Sequence, residues 1–283
     1  MSLRGNTKRR GMMAEMNVVP YIDVMLVLVV ALGMLAGCGD KKDSAAGSSS
    51  ADSAKASGDK YIIATDTTFA PFEFTNDQNE FVGIDLDILA AIAKDQGFEY
   101  ELQSLGFDAA VAALESRQAD GVIAGMSITP DRQKKYDFSE AYYDSTVCAA
   151  VKADSAATTL EDIKGSDVAV KNGTQSAAWA ESIKDEYQLK LTYYDDSAIM
   201  YQAVKSGNAV ACFEDYPVMA YGVSQNNGMK LLVEEKDEFA TPYAFAVLKG
   251  ENADLLEKFN AGLKNIKENG TYDEIVAKYT ETK

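Results

Sequence analysis

From Tyr61 onward the chain alternates short apolar runs with stretches of helical period. "YIIAT" reads as a buried strand, and Pro71 keeps a helix from following it directly. In "GIDLDILAAIAKDQG", Leu86, Leu89, Ala90 and Ala93 share one face of a predicted helix that Gly97 can end. "FEYELQSL" then reads as a strand, "FDAAVAALESRQA" as a helix and "DGVIAGMS" as a strand. The pattern restarts with "DVAVK", "SAAWAESIKDEY", "LKLTYY", "SAIMYQAVKSG", "AVACF" and "YPVMAYGVSQ". "PYAFAVLKG" is a further strand, and residues 252–280 form a long final helical region. Repeated βα units predict parallel sheet with helices on both faces, and their number predicts two α/β lobes.

The first sixty residues have a different pattern. Arg4, Lys8, Arg9 and Arg10 precede an uninterrupted apolar run, residues 24–36, and the segment closes on "LAGC" at 35–38. A basic start, a short apolar run and small residues before a cut form the pattern of an export signal. Leu-Ala-Gly-Cys resembles the lipobox of bacterial lipoproteins. That resemblance implies a lipidated Cys38 as mature first residue, with 1–37 a signal peptide or membrane anchor. Separately, "AEMNVVPYIDVMLVL" (14–28) resembles the membrane helix of the TolR and ExbD family of proton-driven energy-coupling proteins. In that family the aspartate matching Asp23 lies on the proton path, but the resemblance stops near Leu28. Residues 18–37 are long enough to span a bilayer, and an acid within it would ask for a partner helix. Beyond Cys38, residues up to 59 are mostly Ser, Ala, Gly, Asp and Lys, a flexible tether spanning roughly 25 Å. Either way, the remainder is expected outside the cytoplasm.

The 283 residues leave room for one large domain or two ordinary ones. Apolar residues at 47% and charged residues at 25% are ordinary for a globular chain. A net charge of −17 argues against a nucleic-acid partner and against a basic patch on anionic lipid. The chain has no histidine, which removes Ser-His-Asp and Cys-His catalysis and imidazole metal sites. Neither metal nor cofactor is expected. Cys148 and Cys212 lie in strand-like runs and read as buried thiols, with a bridge between neighbouring strands left open.

In open α/β sheets, ligands bind beyond the carboxyl ends of strands. The residues to weigh are therefore 66–69, Phe107, 124–132, 171–176, Glu214 and Asp215. Asp66 either caps a turn or lines a site walled by Phe69, Phe72 and Phe74. In "SITPDRQKK", Thr129 is a good N-cap and Pro130 a good first helical residue. Arg132 in that first turn opposes the helix dipole, so an anion should compensate it, and a carboxylate fits its fork. The competing account makes Arg132 a surface partner of Asp137. Asp215 in "EDYP" can accept from an ammonium group or cap a turn before Pro217. "KNGTQS", at 171–176, can offer backbone N–H groups to a carboxylate and lacks Walker spacing for phosphate. Phe69 and Phe107 either sandwich an aliphatic ligand or fill the core.

"ATDTTFAPFEF", "VGIDLDILAAIAK", "AGMSITPDRQKKYDFSEAYY", "VAVKNGT" and "ENGTYDEI" run in order along residues 60–283. They resemble the polar amino-acid-binding proteins of bacterial ABC importers, most closely the glutamine-binding type. The resemblance implies an α/β, two-lobed periplasmic-binding-protein-like fold of type II, joined by two crossover hinge strands. Lobe 1 would comprise 60–143 plus 243–283, and lobe 2 would comprise 144–242. It further implies that Arg132 holds an α-carboxylate with Ser127 and the backbone at Thr174 and Gln175. Asp215 and the Gly125 carbonyl would take the α-ammonium, Phe69 and Phe107 would pack on the ligand, and Asp66 with Lys171 would read its side chain. The expected partners are L-glutamine or another polar amino acid and an ABC permease, with the chain acting as a monomer. This chain departs from the glutamine-binding pattern at Glu214, in place of a histidine, and at Gln175, in place of a glycine. Cyclohexadienyl dehydratases share the fold and use a cleft acid, so Glu214 as a general acid is the enzymatic alternative.

Overall fold

The structure, a computed structural model, describes residues 60–235 and 238–280. The export signal, Cys38, the tether and the segment similar to TolR and ExbD lie outside the described residues. β1 (Tyr61–Thr65) leads through the hairpin β2 (Phe74–Thr75) and β3 (Phe81–Val82) into α1 (Ile84–Gln96). Gly97 ends α1 in the left-handed region at φ 66°, its N–H donating to the Ala93 carbonyl. The buried stripe of α1 includes Ile84, Ile88 and Ile92, and it leaves Ala90 exposed, one residue off the expected face. β4 (Tyr100–Ser104), α2 (Phe107–Glu115), β5 (Gly121–Val122) and β6 (Tyr136–Phe138) follow.

The chain then enters a second sheet. It runs β7 (Val147–Lys152), β8 (Asp167–Lys171), α3 (Gln175–Ile183), β9 (Lys190–Tyr194), α4 (Ser197–Ser206), β10 (Ala211–Asp215), α5 (Tyr216–Ser224) and β11 (Met229–Glu235). β12 (Ala246–Leu248) returns to the first sheet, and α6 (Ala253–Glu268) and α7 (Thr271–Thr280) pack behind it. The strand orders are β4-β1-β5-β12-β6 and β11-β7-β10-β8-β9.

Both sheets are mixed rather than parallel as expected. β1 pairs parallel with β4 and β5, and β8 pairs parallel with β9 and β10. β12 is antiparallel to β5 and β6, and β7 is antiparallel to β10 and β11. The reason lies in the connections: a helical crossover forces parallel pairing, whereas a strand arriving from the other sheet is free of that constraint. The two crossing segments meet where Tyr243 N–H donates to the Tyr143 carbonyl at 2.8 Å. Their rings stack with centroids 6.2 Å apart.

Each sheet is covered on both faces. Ile88, Leu89 and Ile92 of α1 and Phe259 and Leu263 of α6 share one cluster, and Ala110 and Leu114 of α2 belong to the cluster on the other face. In the second sheet, Trp179 of α3 packs edge-on to Phe213, and Met200 and Val204 of α4 fill the opposite face. Two further expectations are corrected. β10 runs on through Glu214 and Asp215, which were expected in a turn, because α5 starts directly at Tyr216 with Pro217 in its first turn. The final helical region is two helices, broken at Asn269 and Gly270.

Candidate ligand-binding site

The carboxyl ends of β1, β5, β8 and β10 face one another across the gap between the sheets. Asp66 follows β1, Gly125 and Ser127 follow β5, and Lys171 and Asp215 are the last residues of β8 and β10. Phe107 opens α2 and Gln175 opens α3. Thr174 caps α3, its hydroxyl accepting from the Ala177 N–H at 3.2 Å. Asp66, Phe69, Phe107, Gly125, Ser127, Arg132, Lys171, Thr174, Gln175 and Asp215 all line one cavity, joined only by Ala124. Its free volume is ≈ 10 Å³, about the room a single water needs.

The cavity is lined by charges of both signs. Asp66 and Lys171 form an ion pair with both side chains 1% exposed, and Asp66 also accepts from the Thr67 N–H at 2.7 Å. The Lys171 ammonium stands 5.1 Å from the centre of the Phe69 ring. Burial lowers the Lys171 pKa, but Asp66 and Glu214 more than offset this, so the ammonium is held above its ordinary value. Across the cavity, the Arg132 guanidinium donates to the Ser127 carbonyl at 2.8 Å and the Gly173 carbonyl at 2.9 Å. It lies 5.3 Å from the Phe107 ring centre. Burial lowers its pKa and Asp215 opposes the shift. Asp215 accepts from the Ser176 hydroxyl and, at 2.5 Å, from the Tyr243 hydroxyl. Burial raises Asp215, against those two hydrogen bonds and Arg132.

Several of these links join the two sheets. Lys171 meets Asp66, Arg132 reaches Gly173, and the Thr68 hydroxyl donates to Asp196 at 2.8 Å. Gly125 sits at φ +53°, and a Cβ there would stand 2.4 Å from the Phe69 ring, so only glycine fits both the turn and the wall.

Several sequence readings are decided here. The element at Arg132 is a single 3₁₀ turn, Arg132–Lys134, so a helix dipole does not set the environment of its side chain. Thr129 does accept from the Arg132 N–H at 3.2 Å, and Asp137 pairs with Lys249 at 2.6 Å instead of Arg132. Asp215 makes no side-chain cap to α5, which leaves its carboxylate to the cavity. Glu214, weighed as a strand-end residue and as a cleft acid, faces away, because neighbours on a strand point to opposite sides. It accepts from the Ser197 hydroxyl at 3.0 Å and the Tyr201 hydroxyl at 2.7 Å. Burial, then Asp215, raise it to about 7. Cys148 and Cys212 are buried and unbridged. Ser176 and Tyr243, which hold Asp215, have no mark of their own in the sequence beyond lying near strand ends.

A family model described as bacterial extracellular solute-binding proteins, family 3, matches residues 61–282. The chain belongs to this family. The arginine-binding extracellular protein ArtP of Bacillus subtilis is 31% identical over 221 residues, spanning 78% of this chain and 86% of its own. The glutamine-binding ABC transporter protein GlnH of Bacillus subtilis is 32% identical over 268 residues, spanning 90% and 94%. Among solved structures, an ancestral arginine-binding protein bound to arginine matches with a TM-score of 0.72 at 36% identity, over 78% of this chain and 98% of its own. This two-lobed solute-binding protein thus serves amino-acid import by an ABC transporter and works outside the cytoplasm. Its relatives are named for binding and transport, not for catalysis.

Proposed function

We propose that this solute-binding protein captures L-glutamine between its lobes and presents it to an ABC permease. The observation that carries the proposal is the buried Asp66–Lys171 pair, set across one cavity from Arg132 and Asp215. A free amino acid brings two opposite charges into a space that excludes water, and each needs a partner there. Arg132, with Ser127 and the backbone N–H groups of Thr174 and Gln175, suits the α-carboxylate. Asp215 and the Gly125 carbonyl suit the α-ammonium. Phe69 and Phe107 cover the aliphatic part. Asp66 and Lys171 together are neutral and offer both an acceptor and a donor, which matches a side-chain amide.

With ≈ 10 Å³ free, the lobes must part and the Asp66–Lys171 contact must open to admit the ligand. Lobe 1 is taken as 60–143 plus 243–283 and lobe 2 as 144–242, so the crossing at Tyr143 and Tyr243 is the hinge. Binding then shifts the population toward the closed form. A lipid on Cys38 and the tether to residue 59 would hold this domain at the membrane face. A second reading, L-arginine, is favoured by the relatives named for arginine, with Asp66 as the guanidinium partner. The dehydratase alternative is disfavoured by Glu214, whose hydrogen bonds run to Ser197 and Tyr201 rather than into the cavity.

The test is calorimetric titration of the full-length protein, stripped of bound solute, with L-glutamine, L-glutamate, L-arginine, L-histidine and L-cystine. Glutamine is expected to bind tightly and alone, and Arg132→Ala to weaken it on the order of 100-fold or more. Tight arginine binding instead moves the assignment to the second reading. Binding of none of the five ends both.

A further inference from the structure

Behind the cavity wall, lobe 1 buries two acids against each other. Glu73 and Asp85 are both 0% exposed. They meet because the turn after Phe69 folds onto the start of α1: Ile84 N–H donates to the Pro71 carbonyl at 2.9 Å, and Asp85 N–H donates to the Phe72 carbonyl at 3.0 Å. Asp85 lies in the first helical turn, where negative charge is favoured. Its Oδ2 accepts from the Gly125 N–H at 2.8 Å and from the Tyr142 hydroxyl at 2.7 Å. Its Oδ1 and both carboxyl oxygens of Glu73 meet no donor among the described residues. The two carboxyl groups are within hydrogen-bonding reach of each other. If both were ionised, three buried acceptors would go unsatisfied beside two like charges. One shared proton removes the like-charge repulsion and satisfies Asp85 Oδ1, leaving a single Glu73 oxygen without a donor.

We infer that Glu73 carries a proton and donates it in a hydrogen bond to Asp85, and that this acid pair is a positioning device holding the Gly125 turn in register for the ligand. The positioning role rests on the reading above, in which the Gly125 carbonyl receives the ammonium. Gly125 has one N–H, and Asp85 occupies it, so the acid pair anchors the peptide preceding Gly125, from which the left-handed turn sets the direction of the carbonyl. Tyr142 extends the same link into the first crossing segment. Burial raises Glu73 well above the usual carboxylate range, Asp85 and Asp66 add to this, and Lys171 opposes it. Burial also raises Asp85 to about 6, against the Gly125 N–H and the Tyr142 hydroxyl. Asp66, Lys171, Tyr142 and Tyr272 are the charged and titratable groups that bear on this pair.

Two measurements on the full-length protein test the proposal. The first is the infrared carbonyl stretch of a protonated carboxylic acid, recorded near neutral pH without ligand. It is expected in the wild type and lost in Glu73→Gln, a difference that isolates Glu73 because Glu214 is present in both. A wild-type spectrum unchanged by the substitution overturns the shared proton. The second is L-glutamine titration. Glu73→Ala is expected to weaken binding about tenfold, the worth of one lost hydrogen bond to a charged group. Glu73→Gln, whose amide can donate to Asp85, should recover most of that loss. Wild-type affinity in Glu73→Ala, or Gln binding no better than Ala while keeping the wild-type urea midpoint, overturns the positioning role. A wild type that binds no glutamine defeats the ligand assignment, while the infrared result still decides the proton.

Discussion

Asp66 and Glu73 stand seven residues apart in the chain, and both are buried. Asp66 meets a cation, Lys171, at the end of β8 in the second sheet. Glu73 has another acid, Asp85, as its hydrogen-bonding neighbour. A buried carboxyl can be made tolerable by a counter-charge or by keeping its proton. The first solution joins the two sheets through a pair of opposite charges. The second leaves an acid pair that carries a single negative charge and is built within one sheet and its helix.

The largest expected effect comes from breaking the first arrangement. Lys171→Met leaves Asp66 without its counter-charge in the closed form, a penalty of about 3–5 kcal/mol for a buried pair that loses one partner. Opening the lobes returns Asp66 to water, so the penalty falls on closure and not on the fold. L-Glutamine affinity should drop on the order of 100-fold or more, while the urea midpoint of the ligand-free protein stays close to wild type. The double substitution Asp66→Asn with Lys171→Met should be less than additive in affinity, because the stranded charge is gone. Calorimetry and urea titration of the same samples check this. A midpoint that falls in step with affinity would mean that the pair holds the fold rather than closure.

A sharper version compares adjacent acids on one strand. Asp215 turns to the cavity and has Arg132 across from it, whereas Glu214 turns to α4 and is raised to about 7, with burial as the main cause. For Glu214 the folded pKa lies above the ordinary 4.5, so the folded state binds the extra proton between those values. Its contribution to stability is therefore present in full below about 4.5 and lost as pH rises through about 7. The loss is at most about 3 kcal/mol. Asp85, raised to about 6, adds a slope of the same sign. Glu214→Gln should flatten part of this slope, read as a smaller fall in urea midpoint from about pH 5 to about pH 8. An unchanged slope would return the titration to Glu73 and Asp85.

Much of the site was legible because strand ends are legible. Apolar runs such as "YIIAT" and "DVAVK" mark where strands stop, and the residues just beyond them, Asp66 and the last residue Lys171, line the cavity. Resemblance to a known family added their order around it. The direction of side chains was less legible. Glu214 was weighed with Asp215 because the strand was ended at Phe213, two residues early, which hid the alternation that turns one acid to the cavity and the other away. Asp85 was not singled out, because its contact with Glu73 depends on a turn and a helix start brought together by tertiary folding. Mixed sheets were missed for a similar reason, since strand direction is set by where the chain crosses between lobes.

The smallest effect sharpens the comparison from outside the core. Arg117 and Glu251 form a two-pronged ion pair of good geometry, 2.6 Å at its closest, yet their side chains are 68% and 36% exposed. Water solvates both charges whether or not they pair, so the pair lacks the leverage of Asp66 and Lys171. Arg117 also sits at φ 61°, a left-handed conformation that favours glycine. Two opposing terms therefore act at one residue. Arg117→Ala loses the pair and keeps the strain, so its urea midpoint should fall slightly below wild type, by less in high salt where the pair is already screened. Arg117→Gly loses the same pair but relieves the backbone, and it should equal or exceed wild type. If Gly instead falls below Ala, the exposed pair and its backbone were not opposed, and exposure is a poorer guide to the worth of an ion pair here than the contrast with Lys171 implies.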